Sequence, residues 1–144
     1  MPQDIIKDIN QAFQTSSLVH INYAQFQTMS FSDSGEPSIR VCIYDSTFDI
    51  TVCSASQLIL SNTYNYYTHE DVLYFMGLVF DRLNLDHRNQ RIEIGGLITY
   101  DSDLLHLLRE YFGRIEFATG YFGSDLNNEL EHIHLPLYMI SQCA

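Results

Sequence analysis

The sequence has no tryptophan, few basic residues and no cysteine pair at CxxC spacing. Seven Lys and Arg stand against 18 Asp and Glu, a formal net charge of −11 over 144 residues. A surface that grips a nucleic-acid backbone needs Lys and Arg to displace counterions, so nucleic-acid binding is excluded as an expectation. Anionic membrane surfaces are disfavoured for the same reason. No apolar run approaches the roughly 20 residues of a membrane span. The start, "MPQDIIKDINQ", has neither the cationic head nor the apolar stretch of a signal peptide. The cysteines, Cys42, Cys53 and Cys143, are odd in number. Cys42 and Cys53 are placed on neighbouring strands and Cys143 in the tail, and all three read as reduced thiols of a cytoplasmic protein. There is no internal repeat, low-complexity tract or linker.

What is present points to one globular domain over residues 1–144. Hydrophobic residues make up 46% and aromatics 13%, too much for a disordered chain. Ten Tyr and nine Phe suggest a sheet-rich fold. "DIIKDINQAF" sets Ile5, Ile6, Ile9 and Phe13 on one helical face, predicting a helix over about 3–14. "SSLVHI" reads as extended, "NYAQFQTM" as a short helix, and 30–38 as a loop broken by Gly35 and Pro37. In "IRVCIYDSTFDITVCSASQLILSNTYNY" the period falls to two. Val41 and Ile43 alternate with Cys42 and Tyr44; Phe48, Ile50 and Val52 alternate with Asp49, Thr51 and Cys53. "DST" and "SASQ" supply turns between three antiparallel strands.

Helical spacing then takes over in "THEDVLYFMGLVFDRLNL", with Thr68 as N-cap and Glu70 and Asp71 in the first turn. Strand "RIEI", a helix from Asp101 as N-cap to Gly113 as C′, and strand "RIEFA" follow. The apolar "LYMI" implies a packed helix after Pro136. The order β-β-β-α-β-α-β-α is the ribonuclease-H-like arrangement, an α/β fold with helices on both faces of a mixed sheet.

Two places could carry chemistry. The first is the hairpin "DSTFDIT", residues 45–51. In actin-like ATPases this hairpin is a phosphate loop: an Asp for magnesium-bound water and a Gly that lets backbone N–H groups close on phosphate. Here Asp45 is present and Thr51 offers a hydroxyl, but Thr47 replaces the Gly, and a β-branched residue blocks close approach. A polar hairpin turn is the plainer reading. The second is Gly95-Gly96, after "RIEI". That is where an adenosine can lie against flat backbone, or where a turn simply needs small residues. A nuclease reading groups Asp45 or Asp49, Glu70 or Asp71, and Glu93 around two metals, against the repulsion of a chain this acidic. His132 and His134, near Glu129 and Glu131, would share one side of a strand; no third ligand supports a metal.

"LILSNTYNYYTHEDVLYFMGLVFDRLNLD" and "IEIGGLITYDSDLLHLLREYFGRIEF" together resemble an uncharacterised bacterial family of Bacteroidetes type with an actin-like ATPase fold. Residues 58–86 and 91–117 carry the resemblance, and the tail "ISQCA" is similar to the family's end. The resemblance implies two ribonuclease-H-like subdomains flanking a cleft in full-length members, with this chain as the C-terminal half. The function expected of the chain is a non-catalytic binding or scaffolding module acting through a protein partner or homo-oligomer. The alternative is a degenerate nucleotide binder, with ATP and magnesium at Asp45, Thr47, Gly95 and Gly96. A metal-dependent nuclease comes last. No catalytic residue and no metal ligand is assigned.

Overall fold

The computed structural model describes residues 3–12, 20–29, 35–119, 121 and 131–143. Two helices, α1 (Gln3–Ala12) and α2 (Ile21–Thr28), precede three strands, β1 (Ser38–Ile43), β2 (Thr47–Ser54) and β3 (Gln57–Asn65). Then come α3 (His69–Arg82), β4 (Arg91–Gly96), α4 (Asp103–Tyr111) and β5 (Arg114–Phe117). A 3₁₀ turn (Glu131–His134) leads into α5 (Leu135–Ser141). The five strands form one sheet in the order β3-β2-β1-β4-β5. The two hairpin pairs are antiparallel, and β1–β4 and β4–β5 are parallel. This is the β-β-β-α-β-α-β-α mixed sheet expected from the periodicities.

The strand alternation sorts side chains to two faces. Ile39, Val41 and Ile43, Phe48, Ile50 and Val52, Ile92 and Ile94, and Ile115 and Phe117 pack against Val72, Met76, Val79 and Phe80 of α3 and Leu104, Leu105 and Leu108 of α4. The opposite face meets α2 and α5, where a smaller cluster gathers Ala24, Cys42, Ala118, Leu135 and Met139.

Helix ends follow local chemistry. The Thr68 hydroxyl accepts from the Asp71 amide, and the Asp71 carboxylate accepts from the amides of Thr68 and Tyr67, a full capping box. Those two amides hold the Asp71 carboxyl below its usual range. At the far end Asn84 takes a left-handed φ of 51°, Leu85 N–H reaches Phe80 O at 2.9 Å and Asn84 N–H reaches Asp81 O at 3.3 Å. That is a Schellman stop with Asn where Gly is commoner. In the β2–β3 turn both central residues, Ala55 and Ser56, are left-handed, which matches the twist of the strands they join.

Some boundaries differ from the sequence reading. Ile21 opens α2, with His20 as N-cap, instead of ending a strand; residues 16–19 of that stretch lie outside the described residues, as do 13–14 of the N-terminal helix and 30–34 of the loop. Ser102, not Asp101, caps α4: its hydroxyl accepts from Leu105 N–H, while Asp101 accepts from Thr99 Oγ1 at 2.8 Å. Both residue types cap helices, and here the Asp101 carboxylate is instead occupied by the Thr99 hydroxyl. Among the described residues no helix is long and apolar enough to cross a membrane.

Candidate functional site

In an open α/β sheet, ligands bind beyond the carboxyl ends of strands, where the order reverses. Here that point lies between β1, which continues into the hairpin, and β4. The register sets Ile43 beside Gly96 and Cys42 beside Gly95. The structure therefore brings Asp45 and Thr47 of the hairpin to the same end of the sheet as Gly95 and Gly96. Asp45 and Ser46 are exposed on that hairpin, and Tyr44 N–H closes it onto Thr47 O at 2.8 Å.

Both glycines are accounted for by packing within this chain. Gly96 has φ +86°, and a Cβ there would collide with the Ile43 carbonyl oxygen and lie 2.9 Å from the Ile43 amide nitrogen. The same carbonyl accepts from Leu97 N–H at 2.7 Å. A Cβ on Gly95 would come within 2.6 Å of Leu135 Cδ2 and 3.1 Å of the His132 carbonyl oxygen. The 3₁₀ turn and α5 thus lie over Gly95, and β1 lies against Gly96. Contacts within the chain therefore leave no room for a side chain at either position, and Thr47 keeps its β-branched side chain in the hairpin.

His132 sits beside this corner. It is buried, in edge contact with the Phe117 ring, and its Nε2 is 2.5 Å from Ile98 O. With Nε2 donating to that carbonyl, Nδ1 carries the lone pair and has no partner among the described residues. Burial holds the imidazole below its usual value, which favours the neutral ring. His132 and His134 lie in a 3₁₀ turn, not a strand, so the expected one-sided pairing does not form; Glu129 is outside the described residues. No group of three or more His, Cys, Asp or Glu gathers for a metal among the described residues.

The carboxylates of the nuclease reading are likewise held apart. Glu70 and Asp71 open α3 on the apolar side of the sheet. Asp49 and Glu93 face the other side, and each is bound by different partners. Asp49 accepts from Gln25 Nε2 at 2.8 Å and Thr63 Oγ1 at 2.5 Å. Glu93 accepts from Arg40 Nε at 2.7 Å and from the Tyr121 hydroxyl at 2.8 and 2.9 Å.

Arg40 is a residue that motif and spacing do not single out. It is 1% exposed, under α2 and α5. Nη1 donates to Thr28 Oγ1 at 2.8 Å and Nη2 to the Tyr121 hydroxyl at 2.7 Å. Weaker bonds run to the carbonyls of Gln25 and Thr28 and to Met139 Sδ. Thr51 Oγ1 donates to Gln25 Oε1 at 3.0 Å and ties this network to Asp49. The available signal was polar residues at period two, Arg40, Asp49, Thr51 and Glu93, on strands whose other face is apolar. Burial pushes the nearby Cys42 thiol up to about 12. It also raises the Tyr44 and Tyr121 hydroxyls, with Cys42 and Asp49 adding to the shift at Tyr44.

Residues 1–115 match the model of a protein family of unknown function (DUF3822). The chain belongs to that family. No curated protein matches the sequence. A crystal structure from Bacteroides thetaiotaomicron, of a protein with actin-like ATPase fold and unknown function, aligns with all of this chain at a TM-score of 0.76 and 11% identity. This family member therefore has the actin-like ATPase fold. It spans 52% of that chain, about half its length. An AlfA filament bound to AMPPNP aligns over 84% of this chain and 44% of its own at 16% identity, with a TM-score of 0.49.

Proposed function

We propose that this chain is a non-catalytic binding module of actin-like fold that acts through protein contacts. One observation carries the reading. At the strand ends where an actin-like ATPase would hold nucleotide, a Cβ on either glycine would meet Ile43, Leu135 or the His132 carbonyl, so packing within the chain already accounts for both glycines without a ligand. A surface suited to protein contact lies elsewhere. Between α3 and α4 an open groove of about 270 Å³ is lined by Leu73, Tyr74, Leu78, Tyr111 and Phe112, and three of these side chains are exposed. Exposed apolar area of this kind is what partner proteins cover.

The second reading, a degenerate ATP site at Asp45, Thr47, Gly95 and Gly96, draws support from the exposed Asp45–Ser46 hairpin next to Gly96. Thermal unfolding with and without millimolar Mg-ATP, ADP and AMP separates the two. A ligand at 100 times Kd adds about 2.7 kcal/mol, a rise of several degrees for a domain of this size. We expect no shift with any of the three. A clear rise with Mg-ATP overturns the protein-contact reading.

A further inference from the structure

The two edges of the sheet are built on opposite rules. β5 is four residues long and carries Arg114 and Glu116, with Arg91 on the neighbouring strand bonded to Glu116 at 2.7 Å. Short length and charge are how proteins keep an edge from pairing with another chain. β3 has nine residues, Gln57–Asn65, with no proline, glycine or charge. From Ile50 to Thr68 the chain holds no Asp, Glu, Lys or Arg at all, in a sequence that is 17% charged. β3 pairs with β2 on one side and with no other strand among the described residues. Val52 lies opposite Leu60 and Cys53 opposite Leu58, so β3 carries one bulge, with Ile59 as its extra residue, and Leu60–Asn65 runs regularly against β2. Leu58 and Ile59 are 48% and 49% exposed.

We propose that β3 is a self-association edge, pairing antiparallel with β3 of a second copy to make one continuous sheet. The proposal rests on the protein-contact reading above and names its partner. Charge argues for a second copy. Two chains of −11 repel wherever their acidic surfaces meet, and the uncharged β3 edge is where they approach at least cost. Identical strands related by a two-fold axis run antiparallel, the same sense as the β2–β3 ladder. In the joined sheet each Leu58 and Ile59 would gain cover from the partner strand.

The sign of the salt effect separates this partner from a basic one. Screening weakens attraction to a cationic protein and relieves repulsion between two acidic copies. The test is size-exclusion chromatography with light scattering on the wild-type chain, Leu58→Lys and Ile59→Lys, at low and high salt, with far-UV circular dichroism to verify folding. Both positions are half exposed, so a lysine leaves the core intact. The expected result is a wild-type dimer that tightens with salt, and variants whose Kd for self-association rises at least tenfold. A wild-type chain that stays monomeric at every concentration and salt overturns the proposal, as do folded variants as dimeric as the wild type. A dimer that salt weakens also overturns it. A monomer that ignores Mg-ATP removes the edge and leaves the protein-contact reading standing. A nucleotide-dependent rise in melting temperature removes that reading whatever the oligomeric state.

Discussion

The two faces of this sheet are held by different physics. The α3–α4 face is a continuous apolar layer in which Phe48, Ile50, Met76, Phe80, Ile92 and Ile94 are all buried. Its stability scales with area removed from water and tolerates small shifts in geometry. The α2–α5 face places Arg40, Asp49, Thr51 and Gln25 at the same depth, each hydrogen-bonded. Such groups stabilise only while every partner is in place, since an unpaired buried polar group costs more than its bond contributed. One face specifies that the chain collapses; the other specifies how.

Breaking the Arg40–Glu93 pair should expose this difference most strongly. Arg40→Met strands Glu93 and the Tyr121 hydroxyl beneath α2 and α5, and should cost about 3–5 kcal/mol. Replacing both partners, Arg40→Met with Glu93→Leu, should recover much of that loss, because no charge is left unpaired. No such recovery is available on the apolar face, where removing Phe80 leaves only a cavity. Urea titrations of the single and double variants measure the contrast. A double variant no more stable than Arg40→Met would mean the polar face is not governed by pairing.

The faces should also part on acidification, by a smaller margin. His132 has its folded pKa below the unfolded value, so the unfolded chain binds the extra proton first. That contribution is complete above about pH 6.5 and is lost as pH falls through the folded pKa. His132→Gln keeps a donor for Ile98 O and should flatten the dependence in denaturant titrations across that window. An unchanged acid slope in the variant would assign it to other groups.

The least perturbing comparison is thiol labelling. Burial pushes Cys42 up to about 12 and Cys53 up to about 11, and both face α2 and α5. Cys143 is half-buried near the end of the chain. Under native conditions one thiol of the three should react promptly with an alkylating reagent, and mass spectrometry should place the label on Cys143. Prompt labelling of Cys42 would show that the polar face opens readily.

Much of the fold was legible because alternation and caps are local. Phe48, Ile50 and Val52 against Asp49, Thr51 and Cys53 named both sheet faces, and Thr68 with Asp71 named the start of α3. Contacts between distant segments were not legible. Nothing near Arg40 says that Glu93 and Tyr121 will surround it. The purpose of Gly95 depends on Leu135, which arrives some forty positions later. A strand-ending Gly-Gly fits a nucleotide and a tight corner equally, and the sequence near it does not show which neighbours it packs against. Asp101 and Ser102 are both capping residue types, so composition alone does not choose between them.

Arg40 also couples parts of the chain that would otherwise be independent. Its guanidinium reaches Thr28 on α2, Glu93 on β4, Tyr121, and Met139 on α5. These partners are spread from 12 positions before it to 99 after it. Withdrawing any one arm releases donors that the others hold in geometry, so α2 and α5 cannot open separately at low cost. One side chain ties α2 and α5 into a single cooperative unit, although more than a hundred positions separate them in the sequence.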